Sequence, residues 1–545
     1  MAMIVATEKK MVEAQMGAQS ANALLACPLG RKMKKLKISA VVFLCVFFKI
    51  GFSFAGVSVD IPLEHPIYNN IDRLTSLGIF SDDFYTFRPI TIDRLTNMLE
   101  QIDESKIHNK QILSDLKQIR EHVAKENKKN KLQLNAQQGT LFSTARPTPL
   151  LETGAVTNPL LNQKDQARFM SEGYQVWMMP RVYFGWDGWA SFDIEPFIGA
   201  TENQVDGSLD QNIYLRKATL KLGVQNLELL VGRTPIQWGH GFSGGLLFSG
   251  GQHPMDMIQL RNVAPIQLPS ILKIFGQAQF SAFVAKLDRK QIFPESVVIG
   301  ERLAIKPHPI LELAFSQSIQ FMGDGAPDLS AVDILSEVIG KRLHDIYSVN
   351  LSNRNISIDG SIRLPFMKQT KFYAELFWED CCKYPFSRDL TKLFGISNPS
   401  LFNNRGTLAF EYVQTKEIYN RHIPYLSGFI NRGVSMGHQL GPDAEGYYGR
   451  YHHAFPREVE LDLQGGYEIR GRNELSQRSR DIRLVVPTFG SPERRIRQLL
   501  KIQKNWQSDY WLTLSTGFER IWNFQYVTGI DRNQYLVNIE TGFSF

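Results

Sequence analysis

The final eleven residues of the chain, 535–545, alternate between apolar and polar side chains and constrain its fold more than any other segment. Side chains along a β-strand point to opposite faces in turn, so the segment predicts a strand with one apolar and one polar face. The apolar face carries Tyr535, Val537, Ile539, Thr541, Phe543 and Phe545. The polar face carries Asn538, Glu540, Gly542 and Ser544.

A strand of this kind with an aromatic residue at the carboxy terminus resembles the closing strand of bacterial outer-membrane β-barrels. In those barrels the terminal Phe is recognised by the barrel-insertion machinery, so the resemblance implies that Phe543 and Phe545 act as an insertion signal. It also implies that the apolar face contacts lipid and the polar face lines a lumen.

The composition allows a barrel and excludes a helical membrane protein. Of the 545 residues 43% are apolar, and no run approaches the ~18 to 20 apolar residues that a spanning helix requires. In a barrel only every second residue of a spanning strand needs to be apolar. The net charge of +7 indicates anionic neighbours such as lipopolysaccharide or acidic polysaccharide, and nothing in the sequence indicates nucleic acid.

The amino-terminal region has the pattern of a targeting segment. KKLK at 34–37 precedes the apolar stretch ISAVVFLCVFF at 38–48 and the small-residue segment GFSFA at 51–55. This order predicts a signal peptide at 33–55 with cleavage after Ala55.

Met33 is then the expected start, and residues 1–32 are predicted to be a start-site extension. The alternative is a lipoprotein box, LLAC, that ends at Cys27, but no apolar stretch precedes it. Cleavage leaves Cys381 and Cys382, and no metal-ligand spacing surrounds them.

Residues 56–130 are predicted to form a small helical segment on the periplasmic side, and residues 131–545 the barrel. Apolar residues recur at helical spacing in three groups before residue 127, and Thr91 is a predicted N-cap. Each helix has one apolar stripe and therefore needs a packing partner. That partner is the barrel or, alternatively, the other helices of an independent domain.

From about residue 131 the hydrophobic period changes to two, which predicts an all-β transmembrane barrel of about eighteen antiparallel strands. Arg181 and Arg233 are predicted to face the lumen and to pair with carboxylates there. A soluble sandwich also alternates, but strands of about ten or more residues favour the barrel. The predicted lumen carboxylates are Asp193, Glu195, Glu375, Glu411, Glu460, Asp462, Glu519 and Glu540.

Long loops are predicted to lie outside the cell, and short turns in the periplasm. Strand counts from the two ends of the chain disagree near residue 415, so a further strand is predicted within 416–443. The segments assigned to the outside are 142–170, 322–349, 382–404, 471–493 and 522–534.

The segment LELLVGRTPIQWGHGFSGGLLFSGGQHPMDMIQLRN at 227–262, hereafter the signature segment, resembles the central motif of the Wzi-type capsule assembly protein family. In that family a Gly-Arg strand leads into a WGxG turn, a GLLLS-like stretch, a Pro-containing segment and RN. Residues 71–95, 297–325 and 408–450 resemble other parts of the family. The matching signature residues are Gly232, Arg233, Trp238, Gly239, Gly241, Ser249, Arg261 and Asn262.

The resemblance implies an eighteen-stranded barrel in the outer membrane of a Gram-negative bacterium that anchors capsular or another surface polysaccharide to the cell. It implies no enzymatic activity, no cofactor and no metal. The expected partners are the polysaccharide, outer-membrane lipids including lipopolysaccharide, and the barrel-insertion machinery. The alternative function is an outer-membrane porin or solute channel without a glycan role.

Two features of the signature segment have both a functional and a structural interpretation. Trp238 is the candidate polysaccharide-binding residue, because aromatic faces stack on the apolar faces of sugars; packing in the lumen wall is the alternative. GFSGG at 241–245 matches the G-x-S-x-G pattern of serine hydrolases, but that motif requires a strand–turn–helix context, so tight glycine turns are favoured.

His452 and His453 are neighbours in a predicted strand, so they point to opposite faces and do not share a metal.

Overall fold

The computed structural model describes residues 57–80, 83–127, 130–145, 148–149, 156–157, 172–186, 188–202, 209–338, 352–379, 390–422, 425–471, 491–506 and 510–544. The predicted signal peptide at 33–55, residues 1–32, Cys381, Cys382 and Phe545 lie outside these residues.

Three amphipathic helices precede the barrel: α1 (Ile67–Ser76), α2 (Ile92–Glu100) and α3 (Lys110–Glu126). Thr91 caps α2 as predicted, since its hydroxyl accepts a hydrogen bond from the Arg94 N–H at 3.2 Å. The apolar stripes of the helices meet in one buried cluster that also contains Tyr183 of the barrel wall. The helices therefore pack against the barrel and are not an independent domain. No helix among the described residues is long and apolar enough to cross a bilayer.

Eighteen antiparallel strands form a closed barrel, in which the last strand pairs with the first. This architecture confirms the predicted fold class and strand number. A two-residue strand, Ile266–Gln267, follows the sixth strand and pairs with the seventh. A fourth helix, α4 (Ala331–Val338), lies in the loop after the ninth strand. The strands are β1 (Gln133–Ser143), β2 (Gly173–Trp186), β3 (Ala190–Glu202), β4 (Leu209–Val224), β5 (Leu227–Thr234), β6 (Met255–Asn262), β7 (Gln277–Lys286), β8 (Val297–His308), β9 (Leu311–Phe321), β10 (Ser352–Leu364), β11 (Thr370–Glu379), β12 (Thr391–Leu401), β13 (Gly406–Thr415), β14 (Ala444–Phe455), β15 (Val459–Arg470), β16 (Glu493–Trp506), β17 (Tyr510–Trp522) and β18 (Arg532–Ser544).

Outward positions of the barrel are mostly apolar and inward positions mostly polar. In β18, Val537 and Ile539 are exposed on the outer surface, whereas Asn538 between them is buried toward the lumen.

Arg181 pairs with Asp193 as predicted, through two hydrogen bonds of 2.9 and 2.7 Å. Glu540 is half-buried beside a lumen cavity, and the other predicted lumen carboxylates are buried: Asp193, Glu195, Glu375, Glu411, Glu460, Asp462 and Glu519.

One segment predicted as a loop is a strand, and one predicted strand is a loop. β12 (Thr391–Leu401) lies within residues 382–404, and a short turn at 402–405 follows it. This strand restores the alternation of strand directions, so 416–443 is a loop, whose described residues form two strands of two residues each. β12 is hard to recognise because Gly395 and Pro399 have low strand propensity.

Turn lengths assign the two ends of the barrel. Turns such as 225–226 and 456–458 join strands at one end, and long loops join them at the other. The Val57 N–H donates to the carbonyl of Gly188, in a short turn, at 2.6 Å. The described part of residues 57–127, hereafter the plug, therefore lies at the short-turn end, and the periplasmic location of this end stays a prediction.

Buried ion pairs fasten the plug to the lumen wall. The Asp60 carboxylate contacts Lys221 at 2.6 Å and Arg261 at 2.8 Å, and Arg216 contacts Glu64 at 2.6 Å. Burial alone would raise the pKa of Asp60, but Lys221 and Arg261 outweigh burial and hold that pKa well below its usual range. Since buried charges are stable only when they are paired, these contacts fix the position of the plug.

The plug also contains two histidines in ring contact, from which we expect a pH-dependent stability. The rings of His65 and His122 lie 4.5 Å apart, and burial lowers the pKa of both. A folded-state pKa below the unfolded value of about 6.5 means that the stabilisation is complete above that pH and is lost as the pH falls toward the folded-state pKa.

We therefore expect acidification from about pH 7.5 to about pH 5 to reduce hydrogen-exchange protection of α1 and α3, because both imidazoles must then accept protons. The double variant His65→Gln, His122→Gln should show a flatter pH profile. His108→Gln, at an exposed position, is the control and should keep the wild-type profile. An unchanged profile in the double variant would assign the pH dependence to other groups.

Candidate functional site

The signature segment leaves the barrel wall after β5 and enters the lumen. In the loop at 235–254, Trp238 packs against Phe248 and Phe283, with ring centroids 4.9 and 5.7 Å away. The Trp238 N–H also donates to the Phe248 carbonyl at 3.1 Å. Glycine is required at Gly245, because a Cβ there would lie 2.2 Å from the Trp238 carbonyl oxygen. These contacts fold the loop into a compact layer.

A second inward loop, 416–443, completes this layer across the lumen. The Tyr419 hydroxyl donates to the Leu246 carbonyl at 2.6 Å, and the Ser249 N–H donates to the Met436 carbonyl at 2.9 Å. Apolar side chains of both loops form one buried cluster with the walls β5–β8 and β11–β14. We call the two loops, 235–254 and 416–443, the septum. The septum separates the long-loop mouth of the barrel from the plug.

Trp238 does not present a face to a sugar in this structure. Its side chain is 3% exposed, because Phe248 and Phe283 cover the ring. Trp238 therefore packs inside the septum, and its role in polysaccharide binding stays a prediction.

Arg233 lies on the outer face of the barrel, which corrects its predicted position in the lumen. The even-numbered residue Glu228 of β5 is buried inward, whereas the odd-numbered Val231 is exposed outward, and Arg233 shares the outward parity. Its guanidinium forms two hydrogen bonds of 2.7 Å with Asp256 and one of 2.8 Å with the Leu215 carbonyl. Alternation along the strand therefore excludes Arg233 from the lumen network.

The end of the signature segment fastens the plug. Arg261 pairs with Glu228 and Asp60, each at 2.8 Å, and donates to the carbonyl of Pro89 in the plug at 3.1 Å. Asn262 donates to the Ala264 carbonyl at 2.7 Å and closes the turn after β6. The signature residues are thus distributed over wall, septum and plug contacts and do not converge on one ligand pocket. The remaining ones are Gly232, at the end of β5, and Gly239, Gly241 and Ser249, in the septum.

The G-x-S-x-G motif brings Ser243 close to a histidine and a carboxylate, but in an order unsuited to catalysis. Ser243 Oγ lies 3.1 Å from His438 Nε2 and donates its proton to Glu411. The Leu440 N–H donates to His438 Nδ1 at 3.2 Å, so the imidazole proton is on Nε2 and points at the serine oxygen.

His438 therefore has no lone pair with which to accept the Ser243 proton. Burial also lowers the pKa of His438 to about 3. Ser243 and His438 of the septum and Glu411 of β13 are all buried, so a substrate carbonyl has no access to them. These three residues join the septum to β13 and do not form a nucleophilic triad.

The septum touches the plug beneath it. Tyr85 of the plug lies 3.0 Å from His240 Nδ1 and accepts a hydrogen bond from Lys371 of β11. The three side chains line a cavity of about 80 Å³, which has room for a few water molecules. Burial lowers the pKa of His240, so its imidazole is neutral at pH 7. The septum and the plug are therefore in contact at this cavity.

Three inward aromatic side chains lie on the long-loop halves of neighbouring strands: Trp177 on β2, Phe197 on β3 and Tyr214 on β4. All three are half-buried. Phe197 and Tyr214 are register partners, and their rings stack with centroids 4.9 Å apart at an interplanar angle of 22°. Trp177 is the register partner of Gly199, over which the Phe197 ring lies. We call Trp177, Phe197 and Tyr214 the aromatic wall.

The aromatic wall has the chemistry of a sugar-binding surface. Flat rings cover the apolar C–H faces of sugars, and inward Asn212 and Thr201 on the same strands are positioned to hydrogen-bond hydroxyls. One feature of the sequence indicates the aromatic wall. Phe197 occupies an inward position in a strand whose other inward residues, such as Asp193 and Glu195, are charged.

The adjacent histidines of β14 have separate partners. His452 is buried and lies 3.2 Å from Glu460, whereas His453 contacts the Tyr451 hydroxyl at 2.8 Å. The described residues contain no group of three or more His, Cys, Asp or Glu side chains that could hold a metal ion.

A family model described as capsule assembly protein Wzi matches residues 143–536, which is more than half of the chain. The chain belongs to the Wzi capsule assembly family. The Wzi match includes the aromatic wall, the signature segment and both septum loops, whereas the plug precedes it. Family membership and the closed barrel confirm the predicted family and the outer-membrane localisation.

Solved structures agree with the Wzi fold. Wzi of Escherichia coli, described as an outer membrane protein involved in group 1 capsule assembly and as a carbohydrate-binding β-barrel, matches with a TM-score of 0.67 and 15% identity, over 89% of this chain and 99% of that chain. At this identity the likeness shows the fold. OprD of Pseudomonas aeruginosa matches with a TM-score of 0.44 and 9% identity, over 76% of this chain and 96% of its own. No curated protein matches at a significant level of similarity.

Proposed function

We propose that this Wzi-family barrel binds capsular or another surface polysaccharide at its long-loop end and anchors it to the cell without catalysis. The observation that carries the proposal is the aromatic wall in a mouth whose lumen is crossed by the septum. Such a barrel offers a surface to a ligand above two layers that fill part of the lumen. The Escherichia coli relative is described as a carbohydrate-binding barrel, which supports the same ligand class.

Binding would combine ring stacking with hydrogen bonds on a rigid scaffold. Phe197 and Tyr214 are held on paired strands, so little conformational entropy is lost when a sugar covers their exposed edges. A single sugar contact of this kind is weak. A long polymer presents the same unit to many barrels at once, and the resulting avidity retains it at the surface.

The absence of catalysis is proposed on the chemistry of the septum. Ser243 donates to Glu411 and faces a histidine that already has its Nε2 proton, so the best hydrolase candidate lacks a histidine base and is buried. The other expected partners are proposals too: Phe543, together with Phe545, for the insertion machinery, and the apolar outer face for membrane lipids. Phe543 lies on β18 at register with Ala136 of β1, at the barrel seam.

Polysaccharide fractionation in a deletion strain tests the function. Cell-bound and medium-released polysaccharide are measured at equal total synthesis, with and without the gene. We expect the bound share to fall and the released share to rise by the same amount. An unchanged ratio would contradict anchoring.

Conductance recording tests the alternative, a solute channel. The purified barrel in a planar bilayer should show no steady conductance, because the septum and the plug both cross the lumen. A large, stable conductance would favour the channel.

A further inference from the structure

Part of the outer wall of the barrel is covered by the chain itself. In β9, Leu313 and Phe315 are exposed outward, and alternation places Gln317 and Ile319 on the same outward face. Yet Gln317 is 7% exposed and Ile319 is 1% exposed. Some element must therefore lie against the outer surface of the long-loop half of β9.

Helix α4 forms this cover. The Gln317 side-chain amide donates to the Val338 carbonyl of α4 at 3.0 Å and to Glu301 of β8 at 2.7 Å. Arg354, on the outward face of β10, forms an ion pair with Glu337 of α4 at 2.7 Å. Three polar side chains that alternation directs toward lipid, Gln317, Glu301 and Arg354, are thus paired at the helix.

The exposed face of α4 is apolar. Val332 is 71% exposed and Leu335 is 50% exposed, whereas Glu337 on the opposite side is buried against the wall. At 100° per residue the five apolar residues of the helix share an arc of about 160°, and Asp333, Ser336 and Glu337 share the rest. A helix in water has the reverse arrangement, with its polar face outward.

The depth of the helix matches the outer leaflet. Gln317 lies four residues below the end of β9, which corresponds to about 10 Å along the membrane normal for strands tilted by about 40°. Interfacial helices bury their apolar faces about 5–10 Å into the boundary between headgroups and acyl chains.

We propose that α4 is a membrane-interfacial helix, with Val332 and Leu335 inserted among the acyl chains of the outer leaflet and Glu337 fixed to the barrel wall. The loop between β9 and β10 is thereby attached to the membrane surface at this point. This inference does not depend on the proposed function.

Site-directed fluorescence quenching tests the proposal. Val332→Cys and Leu335→Cys are made separately in a full-length background whose four cysteines are serine. The folded proteins are labelled with an environment-sensitive fluorophore and reconstituted into phosphatidylcholine–phosphatidylglycerol vesicles that contain lipids brominated near the headgroup. Heat-modifiable gel mobility checks folding, and labelling follows folding, so only folded barrels are measured.

We expect bromolipid to quench both labels as strongly as a label at Ile358→Cys, a lipid-facing position of β10. Aqueous iodide should quench neither of them strongly. A label at Asp328→Cys, an exposed position earlier in the same loop, should show the opposite preference. Iodide quenching at 332 and 335 equal to that at 328 would overturn the proposal, and protection from both quenchers would assign the face to a protein contact such as a second copy.

Discussion

Replacing Phe197 and Tyr214 together by alanine is expected to weaken polysaccharide binding by about 2–3 kcal/mol, or roughly 30- to 150-fold in Kd. The two rings form the stacked part of the aromatic wall, and their removal deletes the apolar surface that a sugar would cover. Binding of the purified variant in detergent to immobilised polysaccharide from the same cells measures the change. The barrel should remain folded, because both side chains are half-buried at the mouth.

The matched control is Phe518→Ala with Tyr535→Ala. These rings form an outward pair with centroids 5.3 Å apart, so the same amount of aromatic surface is removed from the lipid side. We expect wild-type affinity. Equal losses of affinity in both double variants would indicate a general effect on the barrel. Wild-type affinity in both would show that the aromatic wall is not part of the binding site. The fractionation experiment would still test anchoring in that case.

Asp60→Asn is expected to destabilise the docked plug by about 3–5 kcal/mol, since it leaves two buried cations without a full counter-charge. Asp60 joins Lys221 and Arg261, and asparagine keeps the shape of the side chain but not its charge. Hydrogen exchange of α1–α3 in the intact barrel should rise, while exchange of the barrel strands should stay close to wild type.

Asp103→Asn provides the control within the same part of the chain. Asp103 pairs with Lys106 at 2.9 Å on the surface, where an ion pair contributes little. Its exchange profile should match that of the wild type. Similar effects of the two substitutions would show that the ion pairs of Asp60 do not hold the plug.

The strand pattern was predictable because one face of each strand meets lipid. Val537, Ile539 and Asn538 show the alternation directly, and the same parity places Asp193 and Arg181 together in the lumen. Parity also explains the error at Arg233, because one polar residue near a strand end does not reveal which face it occupies. Its partner, Asp256, lies on the neighbouring strand, twenty-three residues along the chain.

The candidate site was much less predictable. Trp238 has the residue type of a sugar platform, yet Phe248 and Phe283 cover it once the septum folds. Phe197 and Tyr214 come from different strands and become a surface only through their register. Single-sequence patterns describe faces within one strand, whereas a binding surface depends on the pairing between strands.

The sequence by itself determined the barrel, the helical segment before it and the family. The barrel was predictable because lipid on one side of each strand and a polar lumen on the other impose a local period of two. Only the tertiary structure decided which segments fill the lumen. The inward turn of 235–254 and 416–443, the docking of the plug on Lys221 and Arg261, and the position of α4 on the outer wall all depend on contacts between residues distant in the chain. Such contacts leave no periodic signal, because each is satisfied by a partner that the local sequence does not contain.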